Sequence, residues 1–341
     1  MGLAWMSIAR APRVLSFLEK VTTVNASTFL RLPAIAAACA LLCGAVHAAP
    51  FAYVPNEKSG TVSVIDTATD TVLRVLPAGT RPRGIAADPS GARLFVTDAA
   101  SNELLLIDSG GDAPPRRIAL GKSPEGVSVS ADGNYVAVAV EKNNSVTLFD
   151  ARTGAQLADI KVEGHNPEHA VFSPDGRWLL VSAEEAEQVD VIDVAQRRLV
   201  GAIPVGLRPR GIGFSPDSTR AYVACEMVNT VYVLDLASRR AVATIPAGKN
   251  ANGIAVNPDG KTVYVSNGAE GTVMLIDTAS NTVRATVAVG KRPWNMALTP
   301  DGGKLYVANG RSNSVSVIDT ASARKSGEVA VGIAPWGVAI R

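Results

Sequence analysis

Residues 53–72 read YVPNEKSGTVSVIDTATDTV, residues 264–283 read YVSNGAEGTVMLIDTASNTV and residues 306–322 read YVANGRSNSVSVIDTAS. Each run closes on an aspartate, and that aspartate recurs at Asp66, Asp108, Asp150, Asp193, Asp235, Asp277 and Asp319, in steps of 42 with a single step of 43. A glycine follows 13 or 14 residues later every time, at Gly79, Gly121, Gly164, Gly206, Gly248, Gly290 and Gly332. Two landmarks with one shared period define a structural repeat.

Within each period the order of signals is constant. A short apolar run after a glycine (GIAAD, GVSVS, GIGFS, GIAVN) leads to a turn written DPSG, SADG, SPDG, SPDS, NPDG or TPDG. A second apolar run, a polar loop, the VxVID run, another turn and a last strand such as VRATVAVG complete the unit. Proline presets φ in the first turn, aspartate accepts a local backbone hydrogen bond and glycine takes the left-handed position. Ser218 departs from that glycine and makes its turn costlier. Four short strands per unit predict an antiparallel meander. Seven such units predict an all-β fold, a seven-bladed β-propeller of four-stranded antiparallel blades. Small residues in the innermost run, as in Gly84-Ile85-Ala86-Ala87 and Gly211-Ile212-Gly213-Phe214, fit strands that converge on a central axis.

The chain ends predict closure. Phe51-Ala52-Tyr53-Val54 lacks an inner strand before it, and Pro335-Trp336-Gly337-Val338-Ala339-Ile340-Arg341 is an inner strand with nothing after it. Together they complete one blade, a three-plus-one closure that removes open sheet edges.

Residues 1–48 stand outside the repeat. Leu32 to Val46 reads LPAIAAACALLCGAV after Arg31, and Val46-His47-Ala48 is a small-residue cleavage site, the pattern of a secretory signal peptide. Residues 49–341 then form one propeller domain, exported to the periplasm. Neither Cys39 nor Cys43 sits in a lipobox, so no membrane anchor is expected after cleavage, and Cys225 is left as the single cysteine. Without the leader the basic and acidic residues nearly balance, so global charge gives no argument for nucleic acid or an anionic membrane. A monomer is expected.

These residues resemble the YVTN-repeat β-propeller family over the whole of residues 49–341. GKRPWNMALTPDG, APWGVAIR and RPRGIAADPSG are also similar to periplasmic propellers associated with PQQ-dependent alcohol catabolism. That resemblance implies an accessory role in PQQ-linked alcohol oxidation, with a quinoprotein dehydrogenase, a cytochrome or a small anionic ligand as partner. A rigid platform with a differentiated mouth and no assembled catalytic constellation predicts a non-catalytic binding or scaffold protein, and no cofactor is expected.

The loops that lead into the inner strands gather at the channel mouth, the default binding site of a propeller. The lead-in windows GTRPRG, GKSPEG, GHNPEH, GLRPRG, GKNANG, GKRPWN and GIAPWG hold eight basic residues (Arg81, Arg83, Lys122, Arg208, Arg210, Lys249, Lys291, Arg292) against Glu125 and Glu168. The neighbouring outer loops are net acidic. Two readings follow: mutual neutralisation through Glu57, Glu184 and Glu226, or an anion funnel built from arginine forks. The residue before the inner glycine points nearest the axis, and its versions are Arg83, Glu125, Glu168, Arg210, Asn252, Trp294 and Trp336. Charges on one side and two tryptophans on the other predict a ligand pocket using ion pairing and stacking.

His165 and His169, the only histidines after the leader, share one window, and His169 replaces the usual glycine. Pro167 forbids a helical pair and no carboxylate or cysteine cluster completes a ligand set, so no metal site is expected. Two alternatives stay open. Distant similarity to propeller lactonases would make Glu125, Glu168, His165 and His169 acids, bases or metal ligands, and a haem-binding propeller would use His165 or His169 axially. Stacking of single-stranded nucleic acid on Trp294 and Trp336 ranks last, because two aromatics make a short platform. The recurrent aspartates read as turn scaffold, Cys225 as a small semi-buried residue, and no nucleophile elbow or phosphate-cradling loop is present.

Overall fold

Backbone hydrogen bonds that cannot be met by water must be met by neighbouring strands, and the repeat meets them four strands at a time. The computed structural model describes residues 50–111 and 113–341. The expected leader, residues 1–48, lies outside the described residues. Among those residues no helix is long and apolar enough to cross a membrane.

Seven four-stranded antiparallel sheets form the blades of a propeller. Blade one takes Ala339–Ile340 as its innermost strand, then Phe51–Asn56, Thr61–Asp66 and Thr71–Pro77. Blades two to seven begin at the inner strands Pro82–Ala87, Pro124–Val129, Pro167–Phe172, Pro209–Phe214, Ala251–Val256 and Pro293–Leu298, and each runs outward in chain order. Every inner strand touches the next one around the circle, including that of blade seven against Ala339–Ile340 and Ala339–Ile340 against that of blade two. The ring closes through Ala52 opposite Ile340 and Tyr53 opposite Ala339. The Phe51 N–H donates to the Arg341 carbonyl at 2.7 Å and the Arg341 N–H returns to the Phe51 carbonyl at 3.1 Å.

Packing follows from the same repeat. Tyr53, Tyr222, Tyr264 and Tyr306, the tyrosines of the YV runs, are at most 2% exposed, and each belongs to the apolar cluster of the following blade. Burying one aromatic of this size stabilises the fold by roughly 1.5–3 kcal/mol, so the blade-to-blade seams carry much of the core. Inner strands approach so closely that side chains are excluded at selected points. A Cβ on Gly84 would lie 2.4 Å from the Glu125 carbonyl oxygen of the next blade. The Gly84 N–H instead donates to Thr97 Oγ1, whose hydroxyl donates to that same Glu125 carbonyl at 2.6 Å.

The recurrent aspartates sit at the turns between third and fourth strands, away from the inner lead-in loops. Asp66 Oδ1 accepts the Ala68 N–H, Asp150 Oδ1 that of Thr153 and Asp235 Oδ1 that of Ser238, each at 2.7 Å. Side-chain acceptors two or three residues back tie off these turns, as expected of scaffold. Ser218 occupies the left-handed position of its turn at φ 57°, where the equivalent Gly176 and Gly260 sit at 72°.

Candidate functional site at the channel mouth

Each lead-in loop reaches the axis through the same local device. A residue in left-handed conformation (Ser123, Asn166, Arg208, Asn250, Arg292 or Ala334) precedes a proline or alanine, which restores extended backbone and launches the inner strand. The carbonyl of that residue accepts an N–H from the loop after the second strand of its own blade, as in Glu226 N–H to Arg208 O and Glu184 N–H to Asn166 O, both at 2.9 Å. Arg81, although not left-handed, is held the same way by the Ala99 N–H at 3.0 Å. The outer loop is therefore clamped to the lead-in loop, blade by blade.

Two concentric rings result. The inner one is Trp336, Arg83, Glu125, Glu168, Arg210, Asn252 and Trp294 from blades one to seven, and all seven line one cavity of about 330 Å³. The outer one is set by the clamping N–H groups: Glu57, Ala99, Glu141, Glu184, Glu226, Gly268 and Gly310. Around the inner ring two adjacent glutamates, Glu125 and Glu168, face two adjacent tryptophans, Trp294 and Trp336, and an arginine flanks each glutamate.

Every arginine of the mouth is paired. Glu57 Oε1 accepts from Arg81 Nε at 2.8 Å and from Arg83 Nε at 3.0 Å, while Arg83 Nη1 also contacts Glu125. Glu226 Oε2 accepts from Arg210 Nε at 2.8 Å and lies 3.3 Å from Arg208 Nε, and its Oε1 takes Arg292 Nη2 at 3.1 Å. Arg210 Nη1 reaches Glu168 and Glu184, and Arg208 Nη2 reaches Glu184 at 3.0 Å. The glutamates Glu57, Glu125, Glu141, Glu168 and Glu184 outnumber Arg81, Arg83, Arg210 and Arg292 along the cavity wall. The neutralisation reading describes this geometry. The expected basic inner ring is not what forms, because the left-handed turns fold the outer-loop glutamates inward onto the guanidiniums.

Burial and pairing then set the ionisation of the wall. Burial opposes the charge on Glu226, yet Arg210, Asn250 and Arg208 override it and hold that carboxyl at about 2. Glu125 behaves oppositely: burial pushes it up to about 7 against the pull of Arg83, with Glu141 adding repulsion. Ser123 links these two carboxylates, donating to Glu141 Oε2 at 2.6 Å with Glu125 Oε1 at 3.3 Å.

The two histidines part company. His165 is exposed on the rim, its Nδ1 3.1 Å from Asn144 Nδ2, and does not line the cavity, which corrects its expected place at the mouth: the chain turns toward the axis only after it, at the left-handed Asn166. His169 does not line the cavity either, but it touches two residues that do: it is stacked on Trp336 with centroids 5.5 Å apart, and its Nε2 is 3.3 Å from Asn295 Nδ2. Burial lowers its imidazole to about 4, with Glu184 opposing. Arg208 also stands behind the wall rather than on it, as partner to Glu184 and Glu226. Sequence reasoning did not single out Asn295, the other departure from glycine at the His169 position, or Glu141. Among the described residues no group of three or more His, Cys, Asp or Glu is arranged to hold a metal. Cys225 is buried and its thiol is pushed up to about 12 by burial, which leaves it unreactive.

Solved structures share this fold. The hydrazine synthase of Kuenenia stuttgartiensis superposes with a TM-score of 0.73 at 24% identity over 79% of this chain and 92% of that one. A functionally unknown protein from Desulfotomaculum acetoxidans DSM 771 gives 0.74 at 21% identity over 85% and 98%. The dihydro-heme d1 dehydrogenase NirN in complex with DHE gives 0.63 at 16% identity, over 82% of this chain and 63% of that chain. At such identities the likeness is one of fold. No curated protein matches in sequence. A family model described as lactonase, 7-bladed beta-propeller, matches residues 43–203 and 200–330, and the chain therefore belongs to the seven-bladed β-propeller lactonase family.

Proposed function

We propose that the protein is an exported binding propeller whose mouth cavity takes a small, ring-bearing ligand rich in hydrogen-bonding groups. One observation carries this reading: seven equivalent backbone positions, which repetition alone would fill alike, present two tryptophans opposite two carboxylates in a single cavity of about 330 Å³. Indole faces stack on flat rings, and paired carboxylates with Asn166, Asn252 and Asn295 beside them offer directed acceptors and donors. Because the guanidiniums are already neutralised, a bare anion gains little in the inner ring. The similarity to YVTN-repeat and PQQ-associated periplasmic propellers supports an accessory place in alcohol oxidation, with the ligand or a quinoprotein dehydrogenase or cytochrome at this face. Calorimetric titration with sugars, cyclitols, aldonolactones and quinone carboxylates tests the reading. Binding abolished by Trp294→Ala and by Glu168→Gln is expected; a panel in which nothing binds, or binding indifferent to both changes, overturns it.

A second reading has its own support, namely the family match and a buried carboxyl poised near neutrality. In lactone opening, ionised Glu125 takes a proton from water and the hydroxide adds to the ring carbonyl beside Arg83. The C–O ring bond then breaks, and the alkoxide receives the proton back from Glu125. Glu125→Gln reducing turnover 100-fold or more, with the Michaelis constant retained, is the result that favours hydrolysis over binding alone.

A further inference from the structure

The positive charge that the sequence assigns to the mouth does not vanish; it is displaced. A second cavity of about 690 Å³ opens on the same face between the outer loop of blade six and the lead-in loop of blade seven. Its walls include Lys291, Arg292 and Arg311 against the single carboxylate Glu270. Glu270 Oε1 is taken by the Lys249 N–H at 3.0 Å. Among the described residues neither Lys291 nor Arg311 forms an ion pair, unlike every arginine around the inner ring. Their backbones are joined, the Arg311 N–H donating to the Lys291 carbonyl at 3.1 Å, and the Lys291 N–H is held by Ser312 Oγ at 2.7 Å. Two cationic side chains without an ion pair thus project from backbones that are tied to each other. Arg292 lines both cavities, so the groove continues the mouth on the tryptophan side.

We infer that the groove between blades six and seven is an anion subsite, taking a carboxylate or phosphate carried by the ligand whose ring stacks on Trp294. Two unpaired cations bind an oxyanion by charge-assisted hydrogen bonds beside a single carboxylate, Glu270, one oxygen of which already accepts the Lys249 N–H. The ligand's ring would stay over the indoles while its anionic arm crosses Arg292.

This rests on the ligand-binding reading of the mouth, but its test does not. Inorganic phosphate and succinate are titrated into the purified protein at low ionic strength, followed by calorimetry and by phosphorus line width. Saturable binding is expected, weakening as salt rises. The Lys291→Gln, Arg311→Gln double variant should lose tenfold or more in affinity with an unchanged melting temperature, since both side chains are exposed. Trp294→Ala and Arg83→Gln should leave phosphate binding as it is. Tighter phosphate or tighter succinate each supports the subsite and assigns its anion. Absence of binding to both, or equal binding by the double variant, overturns it. If phosphate binds here while no ring compound binds the mouth, the subsite stands and the ligand reading falls; the reverse pattern sinks the subsite alone.

Discussion

His169 and Asn295, 126 residues apart, meet across the central channel with Nε2 and Nδ2 3.3 Å apart. They occupy the inner-strand position that is glycine in the other blades, so the two side chains have room for one another only because their neighbours have none. His169 is closed in on its other side by Trp336, and its Nδ1 is buried with no partner. A proton there has nowhere favourable to go. The folded-state imidazole titrates near 4 instead of 6.5 because of burial. Between those values the unfolded chain binds the proton and the folded chain does not, so this residue makes stability rise with pH from about 4 to 6.5. The span corresponds to on the order of 3 kcal/mol. In urea melts, His169→Gln should remove that rising contribution.

Glu125 works in the opposite sense. Its folded carboxyl is raised by burial from 4.5 to about 7, so from 4.5 to 7 the folded state holds a proton that the unfolded chain has released. Stability from this group falls as pH rises across that window. Between about 4.5 and 6.5 the two contributions cancel, and the wild type is expected to show a nearly flat stability profile there. His169→Gln should then expose a decline with rising pH, and Glu125→Gln a rise, each approaching 1.4 kcal/mol per pH unit. Parallel slopes in both variants would refute the assignment.

The period of 42 residues and its turn chemistry made the blades and the closure legible, because repeated local signals need no knowledge of distant contacts. The identity of the inner ring was legible for the same reason: the residue before a crowded glycine has one direction in which to point. What the sequence left open was the choice between neutralisation and an anion funnel. Its neutralisation reading named Glu57, Glu184 and Glu226 as the arginines' partners, but the left-handed turns of the lead-in loops that bring these outer-loop glutamates over the guanidiniums could not be read from it. The His169 and Asn295 contact was encoded as two exceptions to one glycine position, but only His169, sharing its window with His165, stood out.

The ion pairs of the mouth differ in worth by their burial. Arg210 is 7% exposed and contacts Glu168, Glu184 and Glu226, so Arg210→Met leaves Glu168 with no ion-pair partner in a partly dry site and takes one partner each from Glu184 and Glu226, which keep Arg208. Loss of about 3–5 kcal/mol is expected. Arg81 has a side chain 46% exposed and shares Glu57 with Arg83, and Arg81→Gln should cost about 1 kcal/mol or less. Chemical denaturation of both variants checks the contrast, and comparable losses would show that burial does not govern this network.

Trp294 lies flat at the mouth because residue 310 has no side chain. A Cβ on Gly310 would sit 2.8 Å from the indole Cε3 and Cζ3 atoms. Gly310→Ala should therefore push the ring toward the cavity and weaken ring-ligand binding tenfold or more, with a stability change of about 1–3 kcal/mol from overpacking. Trp294→Ala should abolish the same binding. If Gly310→Ala binds as the wild type does, the indole is not positioned by this contact.

The last strand is the clasp of the ring. Ile340 is 4% exposed within a cluster drawn from blades one and seven, and it pairs with Ala52. Ile340→Asp places an unpaired carboxylate in that cluster, whereas Arg341→Ala touches a side chain that is exposed. For domains of this size a loss of 1 kcal/mol lowers the melting temperature by about 2–4 °C, so Ile340→Asp should fall by 10 °C or more and Arg341→Ala should stay near the wild type. Removal of residues 333–341 goes further, because it uncovers the edge of Phe51–Asn56 and leaves blade one three-stranded. Open edges pair with other copies, so this variant should aggregate on heating at concentrations where the wild type remains dispersed in light scattering. A shortened chain that melts cooperatively within a few degrees of the intact protein would mean that the seams between blades, and not the closing strand, hold the circle together.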